Sequence, residues 1–309
     1  MMNSIKLRQY ESVIDAAFPG LRCQSYQSGS PSILNQQGQN SDVLVVDGRY
    51  IFRFPKYPGG IETLRREARL LSELAGRLPL TTPIPEFDHL ENQPVGTACL
   101  GHRRLPGDPL WRAKLQALPE PDQAAIAAQL SGFLAALHST PLSPALQQML
   151  PVGETRVEIE DLYARLQAKV LPLLSPAARV RAAAHFEQYL SSTVSDNGYT
   201  PVLRHGDFGP SNILFDPAAR RISAVIDFAA AGPGDPAADF AGLLSGYGQA
   251  FLLRCLEPYP VPPGLLERIR FHQGTFALQE ALFGVENGDA QALQAGIAGY
   301  EHPGPGDAA

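Results

Sequence analysis

The run His205-Gly206-Asp207-Phe208-Gly209-Pro210-Ser211-Asn212, followed by Val225-Ile226-Asp227-Phe228, constrains this chain more than any other feature. Between the two lie the short apolar segments Ile213–Phe215 and Ile222–Ile226, separated by Asp216-Pro217-Ala218-Ala219-Arg220. They read as the two strands of a hairpin. Asn212 stands just before the first strand and Asp227 just after the second. Antiparallel pairing sets the start of one strand beside the end of the other, so the amide and the carboxylate are expected to face one point. Both offer hard oxygens of the kind Mg²⁺ takes. Asp207 lies on the loop leading there, where its carboxylate can accept a hydroxyl proton. Any one of these residues beside a strand would be an ordinary turn former or cap. Their order carries the chemistry: Asp, four residues, Asn, hairpin, Asp-Phe.

The rest of the chain divides around Pro106-Gly107-Asp108-Pro109, a cluster of breakers. Before it, residues 4–18 alternate as a short amphipathic helix closed by Pro19-Gly20, and a polar stretch runs from Gln24 to Asn40. Asp42–Val46 and Tyr50–Phe54, joined by Asp47-Gly48, read as a hairpin. Residues 61–76 carry Leu64, Ala68, Leu71 and Leu74 at helical spacing, and 95–104 are expected to add a strand. After it come helical patterns near 122–139, 158–173 and 177–193. Val202–Leu203 opens a loop, and helices resume over Pro236 to Leu256 and Gly264 to Gly284. The expected division is therefore a sheet-rich unit, 1–105, and a helical unit, 106–309. The tail from His302 to Ala309 is expected to fray.

Charge follows the same division. Residues 1–105 hold 12 Lys/Arg and 10 Asp/Glu, whereas 106–309 hold 13 and 21. An acidic second unit attracts cations and argues against nucleic acid as a partner. No stretch reads as a signal peptide or a membrane span. The three cysteines, Cys23, Cys99 and Cys255, fit neither a disulfide framework nor a metal spacing. A monomer in a reducing cytoplasm is the expectation.

His205-Gly206-Asp207, with glycine where protein kinases place arginine, resembles the aminoglycoside phosphotransferases and their relatives. So does Gly234-Asp235-Pro236-Ala237-Ala238-Asp239-Phe240-Ala241. The resemblance spans nearly the whole chain and is densest from 203 to 243. It implies an α+β, two-lobed protein-kinase-like fold and transfer of the terminal phosphate of ATP or GTP to a hydroxyl. It further implies Asp207 as catalytic base, Asn212 and Asp227 as Mg²⁺ ligands, Asp239 as a brace of the loop, and a structural role for His205. In such a fold a strand lysine grips the donor phosphates and a helix glutamate positions it. Lys56, at the end of Ile51-Phe52-Arg53-Phe54-Pro55, and Glu67 answer to that pair. The alternation leaves the direction of Arg53 open. The donor is expected to meet Ser41 in the loop Asn35–Ser41, which has no Gly-x-Gly-x-x-Gly, and the hinge backbone at Arg104 and Leu105. Ala229 after Asp227-Phe228, and the lack of an Ala-Pro-Glu segment, speak against a regulated protein kinase.

The phrases at 51–56, 104–110 and 274–280 are similar to the branch acting at the 2''-hydroxyl of aminoglycosides. Such acceptors carry several ammonium groups, and carboxylates bind those through charge-assisted hydrogen bonds. Glu280, Asp235 and Glu286 are the expected acceptor contacts, with Glu158, Glu160 and Asp161 contributing from an earlier helix. A kinase of another hydroxylated metabolite or of a macrolide shares every catalytic residue. A non-catalytic nucleotide-binding protein is the third alternative.

Overall fold

Alternation between Ser41 and Pro55 builds the first part of the fold. The structure, a computed structural model, describes residues 2–21, 33–35, 40–192 and 199–302, with side chains from Ile5 onward. Cys23, most of the polar stretch before Asn40 with Gln36 to Gln39 of the expected phosphate loop, and the tail beyond His302 lie outside the described residues. The chain forms two compact units: residues 1–107 with 223–229, and residues 108–222 with 230–309. The fold is α+β, with the first unit rich in sheet and the second in helix.

In the first unit, helix α1 (Met2–Ala17) precedes strands β1 (Ile33–Asn35), β2 (Ser41–Val46) and β3 (Tyr50–Pro55). Asp47 and Gly48 both have positive φ, and the Arg49 N–H donates to Val46 O at 3.0 Å, as a tight hairpin turn requires. Helix α2 (Pro58–Leu74) follows, then β4 (Phe87–His89) and β5 (Cys99–Arg103), giving a sheet of order β1-β2-β3-β5-β4. The expected strand over 95–104 is shorter because Ala98 N–H still closes a turn onto Pro94 O. Phe52 and Phe54 alternate toward one side of β3, where they pack with Leu44, Val46, Tyr10 and Ile14. Arg53, between them, must face the other side. It lies opposite Leu100, which packs with Ile61, Leu64 and Ala68 of α2.

The second unit begins with β6 (Asp108–Pro109), α3 (Arg112–Gln116), α4 (Glu120–His138), α5 (Pro144–Met149), α6 (Arg156–Lys169), a 3₁₀ turn at Leu171–Leu173 and α7 (Pro176–Ser191). Thr155 and Glu158 form a reciprocal capping box that starts α6. β7 (Val202–Arg204) is a strand rather than a loop opening. It pairs antiparallel with β10 (Gly232–Gly234). β8 (Ile213–Asp216) and β9 (Arg221–Val225) join β6 in a three-stranded sheet, and the chain passes to the first unit after Ile222. The expected helix from Pro236 to Leu256 is two, α8 (Ala237–Tyr247) and α9 (Gln249–Leu256). They part at Gly248, whose φ of 88° a residue with a Cβ rarely adopts. α10 (Leu265–Asn287) runs past Gly284, and α11 (Ala290–Glu301), capped by the Asp289 side chain, closes the described chain. Phe186, Tyr163, Phe271 and Tyr189 stack between α6, α7 and α10 as the main aromatic core. Among the described residues no helix is long and apolar enough to cross a membrane.

Candidate active site

The loop from His205 to Asn212 joins β7 to β8 in the second unit, and its shape is held from beneath. Asp239, near the start of α8, is fully buried and accepts the backbone N–H groups of His205 and Gly206, each at 2.8 Å. His138, at the end of α4, approaches Asp239 Oδ2 at 3.0 Å through Nε2. Burial alone would raise the Asp239 pKa. The hydrogen bonds from His138 and from the His205 N–H help to outweigh it, and the pKa lies below the usual carboxylate range. Gly206 sits at φ 82°, with Ala230 O where a Cβ would fall, so the tight approach to the next segment needs glycine. Phe208 then turns inward and stacks on Phe133 at 5.6 Å.

With its neighbours anchored, Asp207 is left exposed at the head of the loop. Asn212 Nδ2 donates to Asp207 Oδ2 at 2.8 Å and to Asp207 O at 2.9 Å. Both amide protons of Asn212 are thereby spent on Asp207, and the group this side chain has left to offer is its oxygen. The Asp207 N–H reaches His205 Nδ1 at 3.3 Å, a contact in keeping with a structural imidazole.

The first unit holds a second cluster. Arg53 Nη1 donates to both Glu67 oxygens, at 2.8 and 2.7 Å, and Nη2 lies 3.2 Å from Asp227 Oδ1. Glu67 also accepts the Phe228 N–H at 3.0 Å, so the α2 carboxylate ties both the strand cation and the backbone beside Asp227. Burial works against the Arg53 charge, but Glu67 and Asp227 raise its pKa above the ordinary value. Burial likewise raises the Glu67 pKa, against the pull of Arg53 and the Phe228 N–H. Asp227 has φ 64° and a side chain 43% exposed. A non-glycine residue held in that region costs about 1–3 kcal/mol and persists where its surroundings over-determine it.

Lys56 is therefore not the partner of Glu67. β3 ends at Pro55, and the strand's alternation aims Arg53, not Lys56, at α2. Lys56 Nζ instead lies 3.6 Å from Asp42 Oδ1. That buried carboxylate also takes Lys6 at 2.6 Å and the Tyr10 hydroxyl at 2.7 Å. The sequence carried the signal for Arg53: flanking phenylalanines at i−1 and i+1 on a half-buried strand force the residue between them to the opposite face. Ser41 opens β2 and is buried. Arg104 and Leu105 follow β5, and the Arg104 N–H is committed to Arg49 O at 2.7 Å.

The expected acceptor carboxylates fare differently from one another. Asp235 is fully buried, accepts Arg268 Nε at 2.8 Å and the Ala237 N–H at 2.9 Å, and has His272 at 3.3 Å. It is an interior counter-charge for Arg268, with no surface to present to an acceptor. Glu286 is engaged by Lys169 at 2.7 Å and by Arg165, a tie between α6 and α10. Glu280 is exposed on α10. Of the earlier group, Glu158 is spent on the capping box, Glu160 on Arg156 at 2.9 Å and Asp161 on Arg165 at 3.3 Å.

Asn212 and Asp227 each retain an oxygen donor, and among the described residues no group of three or more His, Cys, Asp and Glu gathers as a metal cage. Taken singly, oxygens of this kind suit Mg²⁺, which takes one or two side-chain oxygens plus waters and phosphates, better than Zn²⁺.

The chain is similar in sequence and fold to known proteins. Residues 33–271 match the family model described as "Phosphotransferase enzyme family". The chain is 30% identical over 269 residues to viomycin phosphotransferase of Streptomyces vinaceus, covering 85% of this chain and 91% of that protein. Among solved structures it is similar to the GDP and kanamycin complex of APH(2'')-IIIa, with TM-score 0.85, 26% identity, and 94% and 97% of the two chains covered. A macrolide 2'-phosphotransferase type I shares the fold at TM-score 0.69 and 22% identity, over 92% and 96% of the two chains.

Proposed function

The chain belongs to the phosphotransferase enzyme family, a group of small-molecule kinases, and from that premise we propose that it phosphorylates a hydroxyl of an aminoglycoside-type acceptor. The donor is ATP or GTP. One observation carries the reading: an exposed Asp207, oriented by Asn212, on a loop whose backbone is pinned by a buried carboxylate. A carboxylate so placed accepts the acceptor's hydroxyl proton as the oxygen attacks the terminal phosphorus. The bond to the bridging oxygen then breaks and the nucleoside diphosphate leaves. Asn212 and Asp227 would hold Mg²⁺, which when bound neutralises the donor phosphates. Arg53, charged and fixed by Glu67, takes the role of the phosphate-gripping cation that the sequence assigned to Lys56. Lys56, beside the same strand, is the secondary cation, and Ser41, Arg104 and Leu105 line the donor site from the sheet and the hinge.

Kanamycin in the complex of APH(2'')-IIIa supports the aminoglycoside class, and the acidic balance of residues 106–309 suits a polycation. The viomycin phosphotransferase relative favours a second reading, in which the acceptor is a viomycin-type antibiotic. Steady-state kinetics with ATP and GTP against kanamycin, viomycin, a macrolide and a neutral polyol separates them. Turnover of kanamycin supports the first reading and turnover of viomycin alone the second. Turnover of only the macrolide or the neutral polyol sinks both.

A further inference from the structure

We propose that Tyr259 and His138 form a buried hydrogen-bond relay that positions the Asp207 loop, Tyr259 fixing the one imidazole tautomer able to donate to Asp239. The inference rests on the reading of Asp207 as the base. Three buried side chains lie in series within the second unit. The Tyr259 hydroxyl is 2.8 Å from His138 Nδ1, His138 Nε2 is 3.0 Å from Asp239 Oδ2, and Asp239 receives the His205 and Gly206 N–H groups at 2.8 Å. The tyrosine and imidazole rings meet edge-on at 5.7 Å and 90°, and Phe240 closes against both.

The direction of the protons follows from the chemistry of each end. An ionised carboxylate only accepts, so His138 must carry its proton on Nε2. A neutral imidazole then presents a lone pair at Nδ1 and needs a donor there. Tyr259 supplies it, because burial pushes its hydroxyl up to about 12 and keeps it protonated. Removing that hydroxyl frees the imidazole to shift its proton to Nδ1, which turns a lone pair toward the Asp239 carboxylate. The brace under His205 and Gly206 then loosens, and Asp207, the next residue, loses its aim.

The titratable groups facing His138 are Asp239 from α8 and Tyr259 from the segment after α9. His205 acts on Asp239 through its backbone N–H and Glu154 through charge, and Asp235 acts on Tyr259. A doubly protonated imidazole donates from both nitrogens, so the deficit of the Tyr259→Phe enzyme should be smaller at the acid end of the range.

Wild type, Tyr259→Phe, His138→Gln and His138→Ala are compared over pH 5.5–8.5, with calorimetric binding of GDP or ADP alongside. The ¹⁵N resonances of His138 are read in the wild-type and Tyr259→Phe proteins. The wild-type spectrum should show the Nε2–H tautomer, and Tyr259→Phe a mixture. Tyr259→Phe should lower kcat about tenfold at pH 8, with nucleotide affinity within about threefold and the deficit shrinking toward pH 6. His138→Gln, whose amide N–H has no tautomer to lose, should recover part of what His138→Ala loses, at a ratio to wild type independent of pH. A wild-type Nδ1–H tautomer overturns the relay, as does a Tyr259→Phe deficit that is absent or equal at every pH. If His138→Ala fails to fold, Tyr259→Phe, which keeps the ring, still decides. The tautomer needs no turnover, so a relay seen in a protein that phosphorylates no acceptor would sink the functional reading and leave the relay standing.

Discussion

Arg53 shows how far single residues can be read from sequence. Its neighbours Phe52 and Phe54 bury on one face of β3, which sends the guanidinium to Glu67 and Asp227 on the other. Reading the cation from the strand's end selected Lys56, which meets Asp42 instead. Glu67→Gln removes one charge from a buried cluster, so the cleaner comparison is Arg53→Gln against Lys56→Gln. Arg53→Gln should weaken nucleotide binding at least about tenfold by calorimetry, since charge-assisted contacts to phosphate are worth roughly 1.5–3 kcal/mol, and Lys56→Gln should do less. The reverse order would return the donor site to Lys56. The placement of Asp207 on the loop that leads to Asn212 was legible because the two lie five residues apart in sequence. Asp207→Asn should lower kcat by about 10²–10⁴ while nucleotide affinity stays within a few-fold. More than about a tenth of wild-type kcat would remove Asp207 from the role of base. Asp235 was misread for the opposite reason. Its partner Arg268 is 33 positions away, and nothing in the local sequence marks a carboxylate as buried.

Among elements, those with a clear period or turn were legible: α2 by its leucines, and the β2–β3 hairpin by Asp47-Gly48. Those made by long-range pairing were not. β7 and β10 are three residues each and exist because they pair across 27 intervening positions. The contact between α6 and α10 is likewise non-local, and Glu286 ties it. Hydrogen bonds and charge from Arg165 and Lys169 depress its pKa from 4.5 to about 2. A carboxylate whose pKa is depressed on folding stabilises fully above its unfolded value, and that stabilisation is lost as pH falls from about 4.5 toward about 2. The site is at the surface, so the amount is at most about 1 kcal/mol. Glu286→Gln should lower Tm by no more than about 2–4 °C at pH 7, and the difference should close as pH approaches 3. A difference that grows on acidification would show that Arg165 and Lys169 are not what holds Glu286.

At the scale of the whole molecule, composition and breakers foretold a sheet-rich first part and a helical second part, but not the return of residues 223–229 to the first unit. That return is what brings Asp227 to Arg53 and Glu67, so this first-unit cluster is a tertiary product of a segment distant in sequence. Charge is the property that survives from sequence to whole molecule most directly: 13 Lys/Arg against 21 Asp/Glu after residue 105. Two of those carboxylates are neutralised internally, Asp235 by Arg268 and Glu286 by Arg165 and Lys169, so the proposed recognition of a cationic acceptor would fall to the summed field and to exposed groups such as Glu280. Such a field is screened with a Debye length of about 10 Å at 0.1 M salt and about 3 Å at 1 M. Raising salt from 0.05 to 0.5 M should therefore increase KM for kanamycin several-fold through weaker long-range attraction. KM for a neutral acceptor, if one is turned over, should hardly change. Glu280→Gln should reproduce part of the rise at low salt and add little at high salt. If KM for the cationic acceptor is flat across that range, attraction by the acidic unit plays no part in acceptor choice, and shape and hydrogen bonding at the site must account for it.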